Sequence, residues 1–502
     1  MWARGLRVCR RRNVLLRRNQ TYQGPHTTYF QQPPEAPKPK RRILRTVLWS
    51  ATCFGLGAYG YRAFMGEPLG ILGALALAGE AGEVMEEVVA IAALDAIAKE
   101  AVGHTCQMPS NMPCEDTWSA GTYTLFNDPK RDWCEWAIFD GHAGPRTAQM
   151  LKQVIPDVVG KDLWNANCMD QSYIPNDWHT VSTIKKSFLQ IDKEILDEAA
   201  KRIQSGGPLA EVVSAGAAAF SGSCALLALY DPARDILRVA NVGDSRAVLG
   251  TWDSAAQKYV ARPMSVDQTG FNQDEVARLK KNHPGEEDIV DPSSGRVHGI
   301  AISRAFGDAR WKWATDLTQL AHDRFFGPRP RPKGMIKTPP YLTAEPEVME
   351  AKINTGTRPD FLIMASDGLW DQLSSEDAVA CVQMWLDKHK PEAFITDGLD
   401  PAAPNRPPTC TSADDLADDD TYFDEDEKCL KWRVKQKHFV VEDDHCGIHL
   451  VKNALGGKRR DLFTGVMSVQ PPYSRNVRDD ITVHVIFFGI DTEPLTNAAK
   501  KK

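Results

Sequence analysis

The eleven cysteines, spread from Cys9 to Cys446, include no CxxC pair, which removes the usual spacings of a structural zinc site and gives no sign of a disulfide framework. A reducing compartment is the simpler reading. No internal repeat divides the chain, and its composition is that of ordinary folded protein. At 502 residues, a single large layered domain with insertions fits as well as two or three average domains. Acids are almost missing from the amino end. Residues 1–45 hold 12 Lys/Arg against Glu35 alone, a charge of +11, so the remainder carries −17 to reach the formal −6.

In the first eighteen residues seven arginines stand without an acid, interleaved with Trp2, Leu6, Val8, Val14, Leu15 and Leu16. That pattern suits a mitochondrial transit peptide, with a nucleic-acid-binding arm as the alternative. Residues 31–40 form a proline-rich spacer, so 1–42 reads as targeting peptide plus spacer. Charge is absent from Thr46 to Tyr61, sixteen residues that cover about 24 Å at helical rise against a hydrocarbon core of about 30 Å. Residues 43–64 are accordingly expected to be a transmembrane segment that spans only with snorkelling or local thinning. The Ala/Glu-rich stretch 65–104 reads as a helical connector, and 491–502 as a basic tail.

Beyond residue 105 short apolar strands alternate with turns and a few helices. Trp136 to Phe139 reads as a buried strand, as do Phe361 to Ala365 and Ile481 to Phe488. Ser221 to Tyr230 and Ile236 to Leu249 form an expected hairpin, turned at Asp231-Pro232. Ile184, Phe188, Ile191 and Ile195 fall at helical spacing, and Ser374-Ser-Glu-Asp377 has the form of a capping box. Clustered antiparallel strands interrupted by paired helices predict an α+β protein, a two-sheet sandwich flanked by helices. Two stretches read as insertions. Residues 309–345, rich in Arg, Trp and Pro, predict an ordered flap. Residues 387–447, with nine acids between Asp414 and Glu427, predict a solvated, largely disordered excursion.

Acids recur at the strand ends: Glu115-Asp116 precede a strand, Asp140-Gly141 end one, Asp244 follows Val239 to Gly243, Asp367-Gly368 follow Phe361 to Ser366, and Asp479-Asp480 open Ile481. Any one is an ordinary turn. Five such corners at one edge of a sandwich would supply oxygen ligands without Cys or His, which suits magnesium or manganese rather than zinc.

Those corners lie within an ordered series: Glu115-Asp116, Phe139-Asp140-Gly141-His142-Ala-Gly144, Ser221-Gly222-Ser223, Asn241-Val-Gly243-Asp244-Ser245-Arg246, Ile302-Ser303-Arg304-Ala-Phe-Gly307-Asp308, Ala365-Ser366-Asp367-Gly368-Leu-Trp370-Asp371 and Arg478-Asp479-Asp480. The series, over roughly 105–490, resembles the metal-dependent type 2C protein serine/threonine phosphatases. Trp311-Lys-Trp313 through Pro346 resembles their mitochondrial pyruvate dehydrogenase phosphatase branch.

The resemblance implies a binuclear metal centre in which Asp140 bridges two ions, Gly141 offers its carbonyl and Asp367 and Asp479 complete one ion. It implies that Glu115 and Asp116 act on the second ion through water, and that Asp244 and Asp371 serve a weaker third. His142 would protonate the departing seryl or threonyl oxygen. The implied reaction is attack of metal-activated water on phosphoserine. The implied partner is a phosphoprotein, with the E1α subunit of pyruvate dehydrogenase favoured, in the mitochondrial matrix with inner-membrane association; nucleic acid is not expected. Asn111 stands where many members carry a phosphate-binding arginine, with Arg310 as a substitute. Arg304 and Arg246 read as holding turns or internal carboxylates, and Cys114 and Cys134 as lacking any sign of a lowered pKa. The competing reading is a catalytically silent phosphoprotein-binding scaffold on the same fold.

Overall fold

A computed structural model describes residues 93–98, 101–110, 112–123, 132–166, 177–389, 420–424 and 429–489. The transit peptide, spacer, transmembrane segment, basic tail and most of the acidic run lie outside these residues. Among the described residues no helix is long and apolar enough to cross a membrane.

The principal strands in chain order are β1 (Ala93–Ala98), β2 (Ala101–Met108), β3 (Thr117–Tyr123), β4 (Trp133–Phe139), β5 (Ala225–Asp231), β6 (Ile236–Val242), β7 (Arg246–Asp253), β8 (Lys258–Pro263), β9 (Glu347–Lys352), β10 (Phe361–Ala365) and β11 (Ile481–Phe488). They make two antiparallel sheets, one ordered β1-β2-β11-β10-β7-β8 and the other β9-β6-β5-β4-β3. The two sheets pack face to face. Trp136, Ile138, Leu226, Ala228, Leu237 and Val239 of one meet Ala247, Leu249, Leu362, Met364, Ile486 and Phe488 of the other in a single buried cluster.

Alternation explains why β4 reads as an unbroken apolar run. Trp136 and Ile138 point to the inter-sheet core, whereas Ala137 and Phe139 face the helices outside, so both faces are buried. Those helices are α1 (Arg146–Asn165), α2 (Asp177–Ser205) and α3 (Leu209–Phe220). Ile184, Phe188, Ile191 and Ile195 supply the buried stripe of α2 as their spacing predicts. The other sheet is covered by the helix Ser375–His389 and by Cys446–Ala454. Half of the expected capping box forms: the Asp377 amide donates to Ser374 Oγ at 3.0 Å, while the Asp377 carboxylate accepts from that hydroxyl at 2.7 Å rather than from the Ser374 amide.

Three expectations need correction. The segment 236–249 is not one strand: it ends at Val242, turns through Gly243, and resumes at Arg246 in the opposite sheet. The connector expected to be helical contains β1 and the start of β2, and β2 is buried throughout, pairing with β11 from Ala101↔Phe488 to Met108↔Ile481. Burial against a sheet overrides the helical preference of alanine there. The acidic excursion is also partly folded, since Trp432, Val434 and Phe439 are buried and Asp420 is held by Lys435 and Lys437. The flap segment 309–345 is ordered, with buried Trp311, Trp313, Phe325 and Tyr341.

Candidate active site

Strand register decides which acids meet. Thr117 pairs with Phe139, so in an antiparallel pair Asp116 and Asp140, one step beyond each, share a strand end. Ala225 pairs with Val242, which brings Cys224 and the Gly243-Asp244 turn to the same edge, where the Cys224 amide donates to the Asp140 carbonyl at 2.8 Å. In the other sheet Ala365 pairs with Val483 and the Ser366 amide donates to the Thr482 carbonyl, setting Asp367 beside Asp479 and Asp480.

Close backbone approach is needed at two of these corners. A Cβ on Gly141 would lie 2.3 Å from the Glu115 carbonyl, and one on Gly368 2.3 Å from that of Asp480. Asp480 acts as a clamp between the sheets: its Oδ2 accepts from the Glu115 amide at 2.8 Å and its Oδ1 from Ser110 Oγ at 2.9 Å.

The structure therefore brings Asp116, Asp140, Asp244, Asp367 and Asp479 together. Asp116 Oδ2 accepts from Thr482 Oγ1 at 2.8 Å, and Asp140 Oδ2 from Ser245 Oγ at 3.3 Å. Glu115 turns its carboxylate to the Gly144 amide. Asp479 is paired with Arg475 Nη1 at 2.6 Å. Asp371 is exposed at the end of the short helix Asp367–Trp370, and its charge reaches Asp367 and Asp479.

These carboxylates destabilise one another. Burial, then the charges of Asp116, Asp244 and Asp479, pushes Asp140 well above the usual carboxylate range, and burial with Asp140, Asp479 and Asp244 does the same to Asp367. Asp116 is raised by burial and Asp480, Asp244 chiefly by burial, and Asp479 by burial against the opposing pull of Arg475. Asp367 Oδ1 is buried without a hydrogen-bond partner. An orphaned buried oxygen in a ring of mutually repelling carboxylates fits hard divalent cations. Ligand atoms of Asp140, Asp244 and Cys224 lie within 4.8 Å of one another. Burial and the neighbouring Asp244 and Asp140 raise the Cys224 thiol, which keeps its proton and leaves the ligand set oxygen-based.

Beside the acids, His142 Nε2 lies 2.7 Å from Asp308 Oδ2. Asp308 is buried and left-handed at φ 52°, with its amide on the Ser221 carbonyl at 3.0 Å. A Cβ on Gly222 would stand 2.1 Å from His142 Nε2 and 2.3 Å from Asp308 Oδ2, so the pair depends on that glycine. Burial works to strip the proton from His142, but Asp308, then Asp244 and Glu115, outweigh it and raise its pKa. A raised pKa favours the protonated imidazole, which suits a general acid.

The model of the protein phosphatase 2C family matches residues 107–406. A protein phosphatase 2C homolog of Schizosaccharomyces pombe is 36% identical over 390 residues, covering 77% of this chain and 80% of its own length. The chain belongs to the protein phosphatase 2C family. It is a protein serine/threonine phosphatase. Two further relatives are mitochondrial pyruvate dehydrogenase (acetyl-transferring) phosphatases. Number 1 of Saccharomyces cerevisiae is 34% identical over 407 residues, 77% of this chain and 68% of its own length. Number 2 of Homo sapiens is 30% identical over 323 residues, 61% of this chain and 54% of its own length.

In this phosphatase two arginines of the motif series have internal partners. Arg246 Nε donates to Asp267 Oδ1 at 2.9 Å, and Arg304 pairs with Glu275 and donates to the Glu345 carbonyl at 2.7 Å. Cys114 is raised by burial and by Asp116 and Asp480, and Cys134 is buried, so neither thiol is a nucleophile. Asn111 lies outside the described residues.

Glu275 gathers Arg304, Arg278 and the Ser303 hydroxyl beneath the loop that leads to Asp308. Burial opposes ionisation, but these partners win and hold its carboxyl at about 2. A depressed acid contributes stability above its unfolded pKa, near 4.3, and that stability is lost as pH falls through about 2. Glu275→Gln should therefore lower unfolding free energy at pH 7 by about 3 kcal/mol, the scale for breaking a buried pair. The difference should shrink as denaturation midpoints are measured from pH 5 downward.

Proposed function

We propose that this phosphatase is a mitochondrial Mg/Mn-dependent enzyme that removes phosphate from phosphoserine proteins, with the E1α subunit of pyruvate dehydrogenase as substrate. The observation that carries the metal dependence is the buried oxygen-only acid cluster with its orphaned Asp367 Oδ1. Asp140, the carbonyl of Gly141, Asp367 and Asp479 would hold one or both of two divalent ions. Glu115 and Asp116 would act on the second through water, and Asp244 and Asp371 on a weaker third. Bound there, such ions lower the pKa of water and neutralise charge on the transferring phosphoryl group.

The chain's own groups do the rest. Asp480 and Thr482 fix Glu115 and Asp116 in place, and Ser245 orients Asp140. His142, kept protonated by Asp308, delivers its proton to the serine oxygen as the P–O bond breaks. The substrate assignment is supported by the mitochondrial relatives named above and by the arginine-rich, acid-free first eighteen residues. Matrix residence and inner-membrane association belong to the same proposal.

The test is phosphate release from phosphorylated E1α and from an unrelated phosphoserine peptide, with Mg or Mn and with chelator. Release should require the ions, and kcat/KM should favour E1α by more than about tenfold. Turnover in chelator would defeat the metal reading, equal kcat/KM the substrate reading. Protease protection in mitoplasts reports the compartment.

A further inference from the structure

Two arginines of the flap have no carboxylate ion pair among the described residues, although the Asp308 charge reaches one of them, Arg310. Arg310 follows Asp308 by two residues, and its guanidinium carbon lies 5.3 Å from the centre of the Trp311 ring; that of Arg331 lies 5.9 Å from the same ring. The Nε atoms of both are buried without a hydrogen-bond partner, and among the described residues neither side chain has a carboxylate ion pair. Asp308, the carboxylate nearest in sequence, is already engaged by His142. The other arginines near the site are different: Arg246 has Asp267, Arg304 has Glu275 and Arg475 has Asp479.

The cluster is also rigidly mounted. Trp311 is almost fully buried and its Nε1 donates to the His298 carbonyl at 3.2 Å. Gly299 leaves room for Arg331, whose Nη2 would lie 2.4 Å from a Cβ there. Burial and the neighbouring charges of Arg331 and Arg329 lower the pKa of Arg310, as expected for like charges held together. A guanidinium held near an aromatic ring keeps its N–H edges available for a bidentate oxyanion.

We propose that Arg310 and Arg331, both beside the Trp311 ring, form a subsite that binds an oxyanion of the phosphoprotein substrate, with Arg310 two residues from Asp308. The inference rests on the phosphoserine reading above. The oxyanion has two sources, the scissile phosphate or an acidic or second phosphorylated residue beside it.

The experiment uses the full chain with Mg, three substrates (an aryl phosphate, a phosphoserine peptide with neutral flanks, one with acidic flanks) and inorganic phosphate as product inhibitor. Charge-assisted bonds of this kind translate to roughly tenfold or more in affinity, so Arg310→Gln with Arg331→Gln should raise KM by about that factor while kcat stays within about twofold. A rise shared by all three substrates and by the inhibition constant of phosphate assigns the scissile phosphate. A rise confined to the acidic peptide assigns the flanking group, and both support the subsite. Unchanged KM with every substrate overturns it, as does an equal rise in Arg324→Gln, a surface cation on the same flap outside the cluster. If the double variant does not fold, Arg310→Lys with Arg331→Lys keeps the charge and loses the planar fork, and an intermediate KM is expected. Fluorescence anisotropy of a peptide bearing the non-hydrolysable phosphonate analogue of phosphoserine reads binding without turnover. A weaker grip there keeps the subsite even if the unaltered chain releases no phosphate.

Discussion

Asp140→Asn should reduce metal-dependent phosphate release by at least about 10³-fold, the loss expected when several kcal/mol of charge stabilisation is removed from the reacting phosphoryl group. The substitution is nearly isosteric, and the backbone bond from Cys224 to the Asp140 carbonyl does not involve the side chain, so the fold should survive. Its second consequence is less obvious. Asp140 and Asp367 have folded-state pKa values raised by burial and mutual repulsion. An acid raised in this way favours the folded state at low pH, and that advantage is lost as pH rises through the folded pKa. Without divalent ions the unaltered protein is therefore destabilised near neutrality, and Asp140→Asn should melt higher than it does. With Mn at about 100 times its dissociation constant, the unaltered chain should gain about 2.7 kcal/mol and the variant little. Melting curves with and without Mn test both signs together. A variant that keeps its turnover and its Mn-dependent rise in melting temperature would remove Asp140 from the site.

The acid corners were legible in the sequence because each is a local event, an apolar strand that ends in a carboxylate and a glycine. Their convergence was not local, since it depends on the Thr117↔Phe139 and Ala365↔Val483 registers of two different sheets. Strand existence was also legible: Phe361–Ala365 and Ile481–Phe488 form as their composition predicts. Reading failed where local composition opposed tertiary context. Alanine-rich 93–104 looked helical until β11 supplied a partner strand. The acid run obscured Trp432 and Phe439 a few residues on, both of which are buried.

Two groups at the site had no assigned role in the sequence. Asp480 read as the second half of an acidic pair, yet its carboxylate is spent on Ser110 and Glu115, bonds that span more than 360 positions. Arg475 had no motif to mark it, and its pairing with Asp479 follows only from the turn Tyr473–Asn476. Each is a positioning residue whose partner is distant in sequence or set by a loop, and no periodicity reports such pairs.

The same holds for Asp308, which closes one motif but lies 166 positions from the histidine it serves. Asp308→Asn should lower kcat toward phosphoserine by about 10² to 10³, within the range that a positioned general acid contributes. The amide can still touch His142 Nε2, but it no longer supplies the negative charge that overcomes burial and keeps the imidazole protonated. The choice of leaving group separates this role from a merely structural one. Serine leaves as a strongly basic alkoxide and needs the proton, whereas a nitrophenyl ester leaves as a stabilised anion and does not. The loss should therefore fall to within about tenfold on the aryl ester, and His142→Gln should show the same pattern. Because the two residues act as one unit, the double variant should be little worse than either single change. Equal losses on both esters would mean that Asp308 supports the loop around Gly307, whose amide is held by Asp192 at 2.9 Å, rather than the proton on His142.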